Sequence, residues 1–582
     1  MKFRWIFGAG ILGAGLAALA SVPAIAAPEA DAALDRIAEQ LVALEVAYDP
    51  TTAYQLGIPA PDHRRWPDRS PQAMAALDRA RDAILDTLGS VDPAALSPRQ
   101  RFIHAGIRER LEADRQARIC RFELWAVNHM GGWHLGLDTV ARDQPVATPE
   151  ERAQALERWA ALPALVDREI ANARLGLSRG YSAPKAVVRR VIRQVDGIAT
   201  SEPEALPFYA PGQRTEDQAF RTRLRATIAG PIRAAFARYR DFLQDEYLPR
   251  ARDALGISAN PDGAGCYAAS LRGYTTLTRS PQEVFALGQR TVTGNMARVR
   301  EVGQQQFATQ DVAAITRRIN DAQDNRFTSE EALIAYSRDV VGRAREASAR
   351  LFAEMPAQEM RVEPFHAFMR GSGGSSYYER QIDPALPAFY RIASERWQTD
   401  TRGGAEITAV HEGYPGHHMQ IALAGRTSTR PVDNLLFNSA FVEGWARYSE
   451  ALAEEARIYQ TPYALMTRRL WPARGMVVDP GLHAMGWTRE QVIAFIRESG
   501  RFQGEDADEM VDRIAAIPGQ LTAYDSGGLE IMALRQAAER ALGTRFDVRS
   551  FHQRVLENGV IPLAALRAHV ESWIEEQRSA AQ

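Results

Sequence analysis

Apolar residues recurring at helical spacing over long stretches constrain this chain more than any other feature. The run TPEERAQALERWAALPALVDREIANARLGLSRG opens on Thr148-Pro149, carries Glu150 and Glu151 in its first turn and closes on Gly180. A hydroxyl N-cap, proline at the first helical position, acids at the positive end and a terminal glycine are the punctuation of a helix. Ser97-Pro98 and Ser280-Pro281 open two more such runs. FRTRLRATIAGPIRAAFARYRDFLQDEYLPRA is a fourth, with a kink expected at Pro231. Stripes of this kind bury one face in a core, and no chemistry is assigned to them. MRVEPFHAFMRGSGGSSYYER, residues 360–380, reads differently, as short extended pieces around a Gly/Ser loop. The expectation is a mostly α-helical protein with a small β-sheet.

At 582 residues the chain has room for a large core and more than one domain. The segment GISANPDGAGCYAASLRGYTT, residues 256–276, is rich in Gly, Asn and Pro and marks a break. It divides an N-terminal helical half, 27–265, from a C-terminal half, 266–582. Residues 1–26 read as an export signal: MKFR is basic, WIFGAGILGAGLAALA is apolar, and Ala24-Ile25-Ala26 fits a cleavage site. No later run is long and apolar enough to span a bilayer, so no stable membrane anchor is expected after cleavage. The expected location is periplasmic or secreted, where the two cysteines, Cys120 and Cys266, are free to pair. Spacing alone leaves that pairing open. A net charge of −2 supplies no global field for nucleic acid, and none is expected as a partner.

The stretch TAVHEGYPGHHMQ, residues 408–420, carries the chemistry. His411-Glu412 begins like the zinc-peptidase pattern H-E-x-x-H, in which two histidines one turn apart bind the metal and the Glu serves as base. Position 415 is Pro, and the next histidines are His417 and His418. In a straight helix His417 lies about 240° around from His411, and His418 lies about 10 Å further along the axis. Gly413, Pro415 and Gly416 break the regular ladder. A bulge absorbing two residues brings His417 to the place of the usual second ligand, with His418 as the alternative ligand or an outer partner. A zinc ion in a catalytic site needs three protein ligands and an open position, where it acidifies water. NSAFVEGWARYSEALAEE, residues 438–455, reads as the helix that delivers Glu443 as third ligand. Glu450, two turns on, shares that face and suits the free ring N–H of a ligand histidine.

Five motifs in order, HEGYPGHH, EGWARYSE, VVDPGLHAMGWT, IPGQLTAYDSGGLEIMALR and LGTRFDVRSFHQRVLENGVIPL, resemble the bacterial family known as domain of unknown function 885. The resemblance covers roughly residues 30–578. That family is similar to the zincin clan of helical metallopeptidases. The resemblance implies a zinc peptidase with a deep cleft, acting on peptides, with the small sheet near the site. By the same analogy a late Tyr and His stand over the metal: Tyr524 is the first candidate oxyanion donor and His483 the second. Tyr377, Tyr378 and the GSGGSS loop are candidates for holding the substrate backbone. Arg474 and Arg535 are candidates for a substrate carboxylate, and His552 is expected to be structural. Two rival readings stand beside this one. One is a zinc hydrolase of a non-peptide amide. The other is a non-catalytic metal-binding scaffold, which would have no use for Glu412 beside His411.

Overall fold

The computed structural model describes residues 27–365, 375–381, 383–426, 430–502 and 504–579. The expected export signal and most of the Gly/Ser loop, 366–374, lie outside the described residues. The protein is mostly helical. The expected helix after Thr148 runs from Pro149 to Ser178 (α1), and its capping box is complete, with Thr148 and Glu151 each bonding the other's backbone N–H. A second helix, Lys185–Thr200 (α2), follows. Around Pro231 the helix widens into a π turn at Ile228–Ile232 and continues; a second π turn spans Phe242–Tyr247. Insertion of a wider turn absorbs the hydrogen bond that proline cannot make.

The Gly-rich break expected at 256–276 is in large part a helix, Gly263–Thr275 (α3). Its glycines serve close packing: a Cβ at Gly263 would meet the carbonyl oxygen of Ile257 at 2.1 Å. Cys266, at its start, is bonded to Cys120 across 146 residues of sequence. A single apolar cluster runs across the expected division. It joins Leu124, Trp159, Val188 and Phe236 to Trp471, Val478, Ile514 and Leu521. Among the described residues no helix is long and apolar enough to cross a membrane.

The helix Glu330–Ser348 (α4) backs a small sheet of β1 (Met360–Pro364), β2 (Tyr377–Glu379) and β3 (Ala388–Ile392). The order is β1-β3-β2, with β1 parallel and β2 antiparallel to β3, so Tyr378 lies opposite Tyr390. Arg338 of α4 donates to the carbonyl of Val362 on β1, and Arg391 of β3 pairs with Glu363 and Glu379 on its two neighbours. The remaining elements used below are α5 (Arg402–Glu412), α6 (His417–Ala424), α7 (Ser439–Glu455), α8 (Gly475–His483), α9 (Glu505–Ala516) and α10 (Ala523–Leu542). A second apolar cluster, including Val410, Tyr390, Trp445, Ile531 and Phe551, unites the sheet with α5, α7 and α10.

Candidate metal centre

The break between His411 and His417 is wider than a bulge. Helix α5 stops at Glu412, residues Gly413–Gly416 leave helical geometry with a cis Tyr414-Pro415 bond, and α6 restarts at His417. The Gly416 N–H reaches back to the carbonyl of Val410. Position 416 admits only glycine, because a Cβ there would meet the carbonyl oxygens of His411 at 2.0 Å and Val410 at 2.3 Å. Two groups on α7 hold the loop from the other side: the Trp445 indole N–H and the Ser449 hydroxyl both donate to the carbonyl of Pro415. The result sets the rings of His411 and His417 edge to face, with centroids 4.7 Å apart.

Helix α7 completes the cluster. Glu443 Oε2 lies 3.3 Å from His411 Nε2 and 3.5 Å from His417 Nε2. One ligand atom from each of the three residues falls within 4.8 Å of the others. Seven residues on, Glu450 Oε1 accepts from His411 Nδ1 at 2.9 Å. A carboxylate only accepts, so Nδ1 carries a proton and Nε2 is the nitrogen that faces Glu443. Between the two glutamates, Arg447 donates from Nη1 to both oxygens of Glu450 and approaches Asp525 through Nε at 3.5 Å. Helix α5 is itself clamped by Glu406. That fully buried carboxylate accepts from Tyr336, Arg343 and the backbone and hydroxyl of Thr461.

The three grouped residues fit a divalent metal of borderline softness. Two imidazoles and one carboxylate are the donor set of a three-ligand zinc site with one position left open. Glu443 Oε2 is buried without a hydrogen bond, as is the outer nitrogen of His417, Nδ1. A buried carboxylate oxygen aimed at two imidazole nitrogens is costly unless a cation joins them. Burial opposes charge on His411, but Glu443, Glu450 and Glu412 outweigh it and push the imidazole up to about 10. Burial acts on Glu443 as well, and the two histidines overcome it to hold that carboxyl far below its usual range. The centre therefore carries closely apposed opposite charges.

Glu412 is buried beside the trio. Burial raises its carboxyl above the ordinary range, against the pull of His411, His417 and the nearby Tyr378 backbone N–H. Strand β2 therefore passes close to Glu412. Tyr524 stands near Glu443, which raises its phenol further after burial has done so; Arg513 lies 3.5 Å from its hydroxyl, and the Arg447 guanidinium lies 5.7 Å from its ring. Helices α7 and α10 touch backbone to backbone beneath these groups. A Cβ on Gly444 would meet the carbonyl carbon of Gly527 at 2.4 Å, and one on Gly527 would meet the Ala440 oxygen at 1.8 Å.

Several expected residues have other positions. His418 faces away from the trio. Its Nε2–H donates to the carbonyl of Gln358 and its Nδ1 accepts from the Tyr378 hydroxyl, so neither nitrogen is left for a metal. His483 is a correction: Nδ1 accepts from the N–H of Ile257, Nε2–H donates to the carbonyl of Ile514, and the ring is fully buried. It splices chain segments together and has no donor to offer an oxyanion. Arg474 is a second correction. It is 1% exposed and donates to the carbonyls of Leu470 and Phe495 and to Glu498, within the core of α8's neighbours. Arg535 is engaged by Glu455, Glu539 and Tyr448, and His552 is held by Tyr448 and the carbonyl of Leu351, the structural place expected for it. Tyr377 sits on β2 beside Tyr378. Sequence reasoning missed Arg447, Asp525, Arg513 and Glu406. The spacing of Glu443, Arg447 and Glu450 on one helical face was the available signal for Arg447.

The fold recurs in solved structures of low sequence similarity. A protein of Colwellia psychrerythraea, described as a "putative lipoprotein", superposes with a TM-score of 0.84 at 22% identity, covering 94% of this chain and 99% of that one. A protein of Shewanella oneidensis, described as a "putative lipoprotein of unknown function", does so with a TM-score of 0.76 at 16% identity, over 92% and 99%. No curated protein matches the chain. The model of a family of bacterial proteins of unknown function matches residues 50–570, and the chain belongs to that family, DUF885.

Proposed function

We propose that this protein is an exported zinc-dependent hydrolase that cleaves peptide bonds, with short peptides as substrates held in a cleft of zincin type. One observation carries the reading: His411, His417 and Glu443 converge within 4.8 Å with the buried, raised carboxyl of Glu412 beside them. His411, His417 and Glu443 would hold the zinc, which supplies an acidified water and an electrophile for the amide carbonyl. Glu412 is the group that takes a proton from that water and passes it to the leaving amine. Burial raises its pKa, which makes it a stronger base toward that proton than an exposed carboxylate. Tyr524, beside Glu443, supplies the hydroxyl that stabilises charge on the amide oxygen. Among the described strands β2 lies at the edge of the sheet, and a sheet edge recognises an extended peptide through its main chain irrespective of side chain. A scaffold role leaves the burial of Glu412 against the trio without a purpose.

The test is metal content followed by turnover. Purified protein should hold one zinc per chain and release products from a mixed peptide library, and a chelator should abolish both. Glu412→Gln should keep the metal and lose about 10²-fold or more in turnover, the scale of removing a positioned acid–base group. Zinc-free protein with full activity, or full activity in the variant, would overturn the proposal. Cleavage of small amides with no peptide products would move the reading to a non-peptide amide hydrolase.

A further inference from the structure

The segment DPGLHAMGWT was read in sequence for chemistry at the metal, yet His483 turned out to bond only backbone. What that bonding builds is a second concavity. A pocket of about 670 Å³ opens between the first turns of α2, the loop 253–259, the stretch Leu482–Arg489 and Asp512 of α9. His483 ties the loop to α9 from behind, and Arg252 braces the same loop by donating to the carbonyls of Ala254, Gly256 and Ser182. The pocket shares no residue with the trio of His411, His417 and Glu443.

Its charge is unbalanced. Lys185 pairs with Asp253, Arg190 with Asp512 and Glu509, and Arg489 with Asp508 and Asp512. Arg189 and Arg193 also line it and have no ion pair or side-chain hydrogen bond among the described residues. They stand one helical turn apart on α2, with Lys185 a turn before them, so like charges repel along one face. Arg252 beneath adds a further guanidinium with no carboxylate partner among the described residues, and one of its terminal nitrogens, Nη2, is buried with no hydrogen-bond partner among them. Burial lowers Arg252 to about 10, which leaves it charged at neutral pH. Leu255, Leu482 and Trp487 give the same pocket an apolar wall. The volume lies within the ordinary range of small-molecule sites.

We infer that this pocket is a binding site for a small soluble organic polyanion, one that presents two or more closely spaced carboxylate or phosphate charges to Arg189 and Arg193 and lays its carbon skeleton on Trp487. Two guanidiniums a turn apart call for an acceptor that bridges them. Planar forks of N–H donors match carboxylate and phosphate oxygens in pairs. A monoanion would satisfy one guanidinium and leave the other unmatched. The inference is independent of the hydrolase reading, because it uses none of the residues that reading invokes.

Isothermal titration at low ionic strength tests it, with citrate and pyrophosphate as probes and acetate as the monovalent control. Citrate or pyrophosphate should bind with one site per chain, acetate should not, and Arg189→Glu with Arg193→Glu should weaken binding by about 10-fold or more. Both side chains are exposed, so the double variant should fold, with circular dichroism and melting temperature as the check. Should the charge reversal fail to fold, Arg189→Gln with Arg193→Gln replaces it with the same expected loss. Absence of binding by both probes, equal binding of acetate, or unchanged binding in the double variant would overturn the inference. So would sedimentation with phosphatidylglycerol vesicles in the absence of any binding to the soluble anions, which would make the patch a lipid contact.

Discussion

Glu450→Gln isolates what the Glu450–Arg447 pair contributes to the centre. In the structure Glu450 Oε1 receives His411 Nδ1 at 2.9 Å and Arg447 Nη1 at 2.8 Å, while Oε2 receives the same Nη1 at 3.0 Å. A glutamine keeps an oxygen for one position only. If its carbonyl stays at Oε1, its NH2 faces the guanidinium at the place of Oε2, donor against donor. The substitution therefore costs His411 the charge that fixes its tautomer and costs buried Arg447 its better partner. Loss of an outer carboxylate typically weakens metal binding about 10–100-fold, or about 1.4–2.7 kcal/mol. Removing one member of a buried ion pair costs about 3–5 kcal/mol of folding stability; Asp525 remains near Arg447 Nε and should hold the loss to the lower part of that range. Competition against a chromophoric chelator reads the first quantity, and urea denaturation of metal-free protein reads the second. Zinc affinity within about threefold of wild type, a shift of under about 0.7 kcal/mol, would refute the claim that Glu450 orients His411.

Further expectations follow from the same geometry. His417→Ala should empty the metal site, whereas His418→Ala should retain the metal and lose stability through the exposed ends of its bonds to Gln358 and Tyr378; inductively coupled mass spectrometry of the two proteins gives the answer, and the reverse pattern would move the ligand by one residue. Reduction of Cys120–Cys266, or serine at both positions, should lower stability by about 3–5 kcal/mol, because the bond closes a very long loop in the unfolded chain; an unchanged urea midpoint would count against it. Burial holds His129 down at about 4 and His483 and His552 at about 3. Each therefore stays neutral in the folded protein while the unfolded chain takes up a proton below about pH 6.5, so stability is complete above that pH and is lost as pH falls through the window toward 4 and 3. At pH 5 each costs about 2 kcal/mol. A urea midpoint that is the same at pH 7 and pH 5 would contradict that account.

The helical character was legible because α1 and the helix starting at Pro281 write their boundaries in caps and prolines that act locally. The convergence of His411, His417 and Glu443 was legible because histidine and glutamate at those separations have a restricted set of uses. The form of the break was not. A two-residue bulge and a loop between two helices put His417 in similar places, and the choice rests on Trp445 and Ser449 reaching across from α7, a tertiary contact with no local signature. His483 and Arg474 were misread for a related reason: a letter in a Pro-Gly-rich motif does not reveal whether its nitrogens meet a ligand or a carbonyl. Arg447 escaped because a salt-bridging arginine on a helix face looks the same whether it is solvated or packed beneath His411 and Glu450. The α3 segment escaped because its glycines signal a turn by propensity, while packing against Ile257 overrides that preference.

Gly444 and Gly527 have a mechanical consequence. Where two helices meet through side chains, a rotamer change lets one slide past the other. Where they meet backbone to backbone, as α7 and α10 do, there is no compliant layer between them. Glu443 is the neighbour of Gly444, and Tyr524 stands one turn before Gly527 and Gly528 on α10. The two groups are thus mounted on one stiff bracket. Glu412 and Tyr378 are carried by α5 and the sheet, which meet the bracket through the shared apolar cluster, the Pro415 loop and the His411–Glu450 bond. A substitution that shifts α5 or the sheet therefore changes the separation of Glu412 from Tyr524, and spectroscopic labelling of that separation is the measurement that follows it.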